Sequence, residues 1–188
     1  MKTRLYLMRH GETVDNVRQV MQGQTQGELT AEGRRQARQV SEELAALHID
    51  TVVSSDLKRS FDTACIVAEP HALKVATTPL LRERDWGDFT GRYIPDLKGQ
   101  PFPDDVERLE QLLHRARLFL HYIYKEYQGL TVLAVGHGII NKAIQAVFYG
   151  KQMSEVARMM NAEVRLLVME HDPLRARMAR NEGSGQKK

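Results

Sequence analysis

Residues 4–16 read RLYLMRHGETVDN. Leu5 to Met8 are four apolar residues in succession, and Arg9, His10, Gly11 and Glu12 follow without a break. A short apolar run without alternation fits a strand buried on both faces, as in a parallel sheet covered by helices. A cation, an imidazole, a glycine and a carboxylate at its end fit the place where open α/β sheets hold ligands, the carboxyl ends of the strands.

The same order recurs further along. Thr51–Ser54 leads into a Ser-Ser turn and a helix start carrying Arg59, and Thr131–Val135 leads into Gly136-His137-Gly138. Further strands are expected around Ala76–Thr78 and over Val164–Glu170. Between them lie helical stripes. Ala37, Val40, Leu44 and Leu47 share one face, with Thr30 as N-cap. Leu57, Phe61, Ala64 and Ala68 form a second stripe, capped by Ser55 or Asp56. The longest runs through Val106, Leu109, Leu113, Ala116, Leu120, Ile123 and Tyr127, and a fourth begins near Ile139 and stops at Gly150. Strands alternating with helices predict an α/β fold: a three-layer α/β/α sandwich on a mostly parallel central sheet. The stretch RYIPDLKGQPFPDD, residues 92–105, holds three prolines and no periodicity, and reads as a surface loop able to border a pocket.

The 188 residues fit one domain, read as residues 1–172, followed by a basic flexible tail over 173–188. No apolar run reaches the roughly 20 residues of a membrane helix, and Leu5–Met8 is too short for a secretory leader. Cys65 is the single cysteine, which fits a reducing, cytoplasmic compartment and excludes cysteine-rich zinc sites. The net charge of +3 leans weakly toward anionic partners. With aromatics at only 6% and no basic patch interleaved with them, neither nucleic acid nor membrane is an expected partner.

If the strands are parallel neighbours, two histidines and two arginines converge on one crevice. Taken singly, each has a plainer reading: a His-Gly pair as a turn, Arg59 as a solvated helix-start residue, Glu12 as a first-turn acid favoured by the helix dipole. Recurrence at several strand ends is what argues for a site. Guanidinium forks suit phosphate or carboxylate, and glycines let backbone N–H groups approach an anion. There is no G-x-x-x-x-G-K-[ST] loop, and His10-Gly11-Glu12 lacks the P-C-x-x-C partner of a zinc deaminase. A metal site using His10, His137 and carboxylates competes with the phosphate reading, but two flanking arginines would repel its cation.

Taken in order, LYLMRHGET with Asn16, LTAEGRRQA, VVSSDLKRSFDTA, LLRERDWGDFTG and VLAVGHG resemble the histidine phosphatase superfamily, and within it the phosphoglycerate mutase-like branch. The resemblance runs from residue 4 to about 170. It implies that His10 is the nucleophile, that Arg9, Arg59 and His137 clamp the phosphoryl oxygens with Asn16 and the Gly138 N–H nearby, and that Glu83 is the general acid. The scheme needs no metal and no cofactor, its partner is a small phosphorylated metabolite, and both a monomer and a homodimer built on a sheet edge or the long helix fit the sequence. In this scheme a protonated His137 adds positive charge beside the two arginines.

The chain departs from the family pattern at Gln26-Gly27-Glu28, Ser60, Asp62, Thr90 and PFPDDVERL, positions around the substrate rather than the phosphate. The leading expectation is a metal-independent phosphatase for small phosphomonoesters acting through phosphohistidine. A 2,3-bisphosphoglycerate-dependent phosphoglycerate mutase is the alternative, with a protein phosphohistidine phosphatase or a binding module behind it. The span from Glu83 to His137 is short for a mutase, and an open site favours hydrolysis.

Overall fold

A computed structural model describes residues 1–172. The tail expected over 173–188 lies outside the described residues. The elements run β1 (Thr3–Arg9), α1 (Val14–Val17), α2 (Ala31–Leu44), β2 (Thr51–Ser54), α3 (Lys58–Ala68), β3 (Val75–Thr77), α4 (Leu109–Glu126), β4 (Thr131–Gly136), α5 (Gly138–Tyr149) and β5 (Val164–Met169), joined by short 3-10 turns. The sheet order is β3-β2-β4-β1-β5. The first four strands are parallel, and β5 joins β1 antiparallel.

Strand residues alternate between two cores, which makes the three layers. Leu5, Leu7, Val53, Val132 and Ala134 pack with α4 and α5 residues such as Phe119, Leu120 and Ile144. Met8, Val52, Leu133 and Val135 face the other way, with Val40 of α2 and Ala64 and Val67 of α3. Because both faces are covered, an uninterrupted apolar run is what a central strand here requires.

This topology sets the two histidines side by side. β1 and β4 are adjacent, Arg9 pairs with Gly136 in the register, and the His10 N–H donates to the Gly136 carbonyl at 3.1 Å. Ser54 at the end of β2 pairs with Val135 on the other side of β4, which brings the start of α3 to the same edge.

α2 is placed by two glycines. A Cβ on Gly11 would lie 2.4 Å from the Gly33 carbonyl oxygen, and one on Gly33 would lie 2.0 Å from that of Glu12. Only glycine at both positions lets the first turn of α2 lie against the turn leaving β1. Thr30 caps the helix as expected, accepting from the Gly33 N–H, and its hydroxyl donates to Glu12 Oε1 at 2.8 Å. Glu12 therefore braces this packing.

Three expectations are corrected. Neither Ser55 nor Asp56 caps α3. Leu57 occupies the N-cap, the Asp56 carboxylate is taken by Arg82, and Gln26 Oε1 instead accepts from the Lys58 N–H at 2.9 Å. Phe61 is exposed, and the buried face of α3 begins with Arg59, Ser60 and Thr63, because this end of the helix abuts the strand ends rather than the apolar core. α4 starts at Leu109, not Val106. Val106 is buried ahead of the helix, while Leu109 is exposed. Gly150 does end α5 in the left-handed region, at φ 65°. The 92–105 stretch is partly ordered by hydrogen bonds from Met21 to Arg92 and from Ile94 to Gln19, and includes a 3-10 turn over Ile94–Leu97.

Candidate active site

His10 emerges from β1 with its ring almost fully buried. Its Nδ1 lies 2.7 Å from the Gly11 carbonyl oxygen. A carbonyl only accepts, so Nδ1 carries the proton and Nε2 keeps its lone pair. Burial, then the charges of Arg59 and Arg9, hold this imidazole well below the usual histidine range. It is neutral at physiological pH, the state in which a ring nitrogen is a nucleophile.

His137 sits at the N-cap of α5, fully buried, with its ring centroid 5.1 Å from that of His10. Neither of its ring nitrogens has a protein partner. Burial, then Arg59, His10 and Arg9, push it well below the usual range as well. In the free protein, burial and the two guanidinium ions oppose a further positive charge on this ring.

Both arginines are tethered by their terminal nitrogens. Arg9 Nη1 donates to the Met159 carbonyl at 2.7 Å. Arg59 Nη2 donates to the Gly23 carbonyl at 2.9 Å, and its Nη1 reaches the carbonyls of Thr25 and Gln26. The loop over 23–27 is thus wrapped around Arg59. Burial foremost lowers each arginine to about 10, so both stay charged at neutral pH. The Nε of each remains unpaired. Among the described residues, six buried side-chain polar atoms lack a partner, and four of them are Arg9 Nε, Arg59 Nε and the two His137 nitrogens. An unsatisfied buried polar group costs about 1–3 kcal/mol, so four in one crevice mark a place built for a polar guest.

Glu83 closes the crevice from the opposite side. Its carboxylate accepts from the Ile139 N–H at 3.0 Å, the Ile140 N–H at 3.0 Å and the Arg84 N–H at 2.9 Å, so it docks on the first turn of α5. A Cβ on Gly138 would stand 3.6 Å from Glu83 Oε2 and 3.6 Å from Arg9 Nε. The bare glycine backbone thus leaves room between an acid and a guanidinium.

Asn16 and the residues that follow Glu83 fall less centrally. Asn16 lies in α1, where its Oδ1 accepts from the Thr13 N–H at 3.2 Å and from Asn161 Nδ2 at 3.1 Å. Asn161 Nδ2 also donates to the His10 carbonyl, so Asn16 is linked to His10 through Asn161. Asp85 caps a local turn through Gly87. Phe89 is buried, while Trp86 is half-buried under the Arg84 guanidinium, 4.6 Å from its ring centroid.

Two residues escaped the sequence reading. Arg115 of α4 donates to the carbonyls of Leu80, Arg82 and Glu83 and forms a two-pronged pair with Glu107, which fixes the segment carrying Glu83. Arg158 reaches the crevice from the turn before β5, with its Nε 3.5 Å from where a Gly138 Cβ would stand. Both stand outside the strand-end pattern, so no local motif marks them. Among the described residues, no three His, Cys, Asp or Glu side chains are grouped as a metal-binding set.

A neutral, oriented imidazole stands beside two fixed guanidinium groups and a carboxylate, all at the carboxyl edge of a parallel sheet, an arrangement whose chemistry suits a phosphoryl group. A family model for the histidine phosphatase superfamily (branch 1) matches residues 5–182, and the chain belongs to that family. It is 34% identical over 165 residues to a Bacillus subtilis (strain 168) protein named uncharacterized phosphatase PhoE, covering 85% of each chain. It is 35% identical over 150 residues to a probable phosphoglycerate mutase, GpmB, of Enterobacter sp. (strain 638), covering 72% of this chain and 69% of that one. Among solved structures, a mycobacterial glucosyl-3-phosphoglycerate phosphatase in complex with VO3 superposes with a TM-score of 0.81 at 29% identity, over 87% of this chain and 90% of that one.

Proposed function

We propose that the protein hydrolyses small phosphomonoesters through a phosphohistidine on His10 Nε2. The observation that carries this reading is the neutral His10 ring, pinned at Nδ1, beside buried and unpartnered polar atoms of Arg9, Arg59 and His137. The Nε2 lone pair attacks phosphorus as the ester P–O bond breaks. Arg9 and Arg59 neutralise the charge on the equatorial oxygens, and the Gly138 backbone N–H, in the first turn of α5, adds a donor. Glu83 gives its proton to the departing oxygen. It then takes one from the water that attacks phosphorus as the P–N bond breaks, which returns the electron pair to Nε2, releases phosphate and restores neutral His10. A bound dianion next to His137 favours its protonated form, so substrate itself offsets the repulsion present in the free site.

Trapping tests the chemistry. Protein mixed with p-nitrophenyl phosphate in EDTA and quenched in alkali is expected to carry one acid-labile phosphoryl group on the peptide containing His10, with turnover independent of the chelator. Steady turnover without any trapped phosphoryl group in a rapid-quench series, or a label on another residue, overturns the assignment. The similarity to GpmB supports a second reading, a phosphoglycerate mutase. That reading predicts that 2,3-bisphosphoglycerate phosphorylates His10 and that hydrolysis is slow beside transfer to a phosphoglycerate.

A further inference from the structure

We propose that Arg158 binds a second anionic group of the substrate, so that the favoured phosphomonoesters carry a carboxylate or another phosphate close to the transferred one. This inference rests on the phosphatase reading above and narrows its substrate class.

Placement comes first. Arg158 Nε, Arg9 Nε and Glu83 Oε2 lie 3.5, 3.6 and 3.6 Å from a single point, the position of a Cβ on Gly138. Arg158 therefore overlooks the same crevice as the phosphate-binding groups. Its positive charge acts on both Arg9 and His10.

Its attachment differs from that of the other two arginines. Arg9 and Arg59 are buried and tethered through their guanidinium nitrogens to backbone carbonyls. Arg158 is exposed, and among the described residues its side chain has no hydrogen-bond or ion-pair partner. It forms no ion pair even with Glu83, which faces the same point. Its backbone, by contrast, is held. Arg165 Nη1 donates to the Ala157 carbonyl at 3.0 Å and Nη2 to the Arg158 carbonyl at 3.4 Å, and the next carbonyl, that of Met159, accepts from Arg9. The stem is fixed beside the crevice while the guanidinium fork stays uncommitted.

Charge balance gives that fork a task. During attack on a phosphomonoester dianion, the positive charges of Arg9 and Arg59, and of His137 once the dianion favours its protonation, face the transferred phosphate. The phosphate is then neutralised, and the Arg158 charge is left over at the rim. A planar guanidinium suits a carboxylate or phosphate approaching with two oxygens. A hydrogen bond to a charged group strengthens binding by about 10- to 150-fold.

Two substrates isolate the effect, since 3-phosphoglycerate differs from glycerol 3-phosphate by a carboxylate in place of a hydroxymethyl group. Wild type is expected to prefer 3-phosphoglycerate by about tenfold or more in kcat/KM, and R158Q to lose that preference through KM, with R158K restoring part of it. Equal losses on both substrates would assign Arg158 to the transferred phosphate and overturn the proposal, as would an unchanged preference in R158Q. Dissociation constants of the same two compounds, measured on His10→Ala with and without R158Q, carry the comparison without turnover. A failure of hydrolysis and a failure of Arg158 are thus read separately.

Discussion

His10 and His137 each follow a buried strand, each precede a glycine, and lie with ring centroids 5.1 Å apart, yet only His10 has a ring nitrogen held by the protein. The Gly11 carbonyl fixes one tautomer and orientation for His10, which suits a group that must attack along one line. His137 has no protein partner on either nitrogen, and burial with its charged neighbours holds it well below the usual histidine range. The adjacent glycines divide in the same way. Gly11 is needed because the backbone of Gly33 occupies the space a side chain would take, whereas Gly138 faces only side-chain ends at ordinary contact distance. One dipeptide at two strand ends serves two purposes, and the neighbouring elements decide which.

The largest expected effect separates the two imidazoles. His10→Ala should leave no turnover and no trapped phosphoryl group. His137→Ala should slow turnover by about 10²- to 10³-fold, as for loss of one transition-state donor, and still yield phosphorylated His10 on rapid quenching. Equal outcomes for the two variants would erase the distinction between them.

The glycines sharpen the contrast on a different axis. Gly11→Ala should cost about 1–3 kcal/mol through backbone overlap, a drop of roughly 2–12 °C in Tm for a domain of this size. Gly138→Ala should leave Tm nearly unchanged while weakening inorganic phosphate binding by about tenfold, comparable to one lost hydrogen bond to a charged group. Thermal denaturation and phosphate titration of both variants would show whether the two costs are exchanged.

The smallest effect is shared by the pair. In the unfolded chain each histidine takes up a proton near pH 6.5, but in the folded protein both remain neutral to a lower pH. The unfolded state then binds more protons, so stability should be full above about pH 6.5 and fall as pH drops below it. The slope is on the order of 1 kcal/mol per pH unit for each histidine. Urea denaturation at pH 7.5 and 5.5 measures this, and His137→Gln should remove one share of the slope.

Much of this was legible in the chain. The runs at Leu5–Met8 and Thr131–Val135 are readable because a strand covered on both faces has no polar positions to spare, and His10, His137, Arg9 and Arg59 stand at or just beyond such runs. Glu83 was identified only through resemblance, since RERD in isolation is an ordinary charge cluster. The cap of α3 is not readable locally, because Asp56 answers to Arg82, a residue brought near by the fold and not by sequence distance. Arg115 and Arg158 left no local signal, because one acts from the middle of α4 and the other from an irregular turn.

The strand-and-helix order, the mostly parallel sheet and the residue types at three strand ends can be read along the chain, because hydrophobic period and glycine placement are local properties. The folded arrangement adds the lowered proton affinity of His137, the docking of Glu83 on α5, the grip of Arg115 on the acid-bearing segment and the approach of Arg158. Burial, charge proximity and free hydrogen-bonding capacity are properties of neighbours in space, and only the folded chain supplies those neighbours.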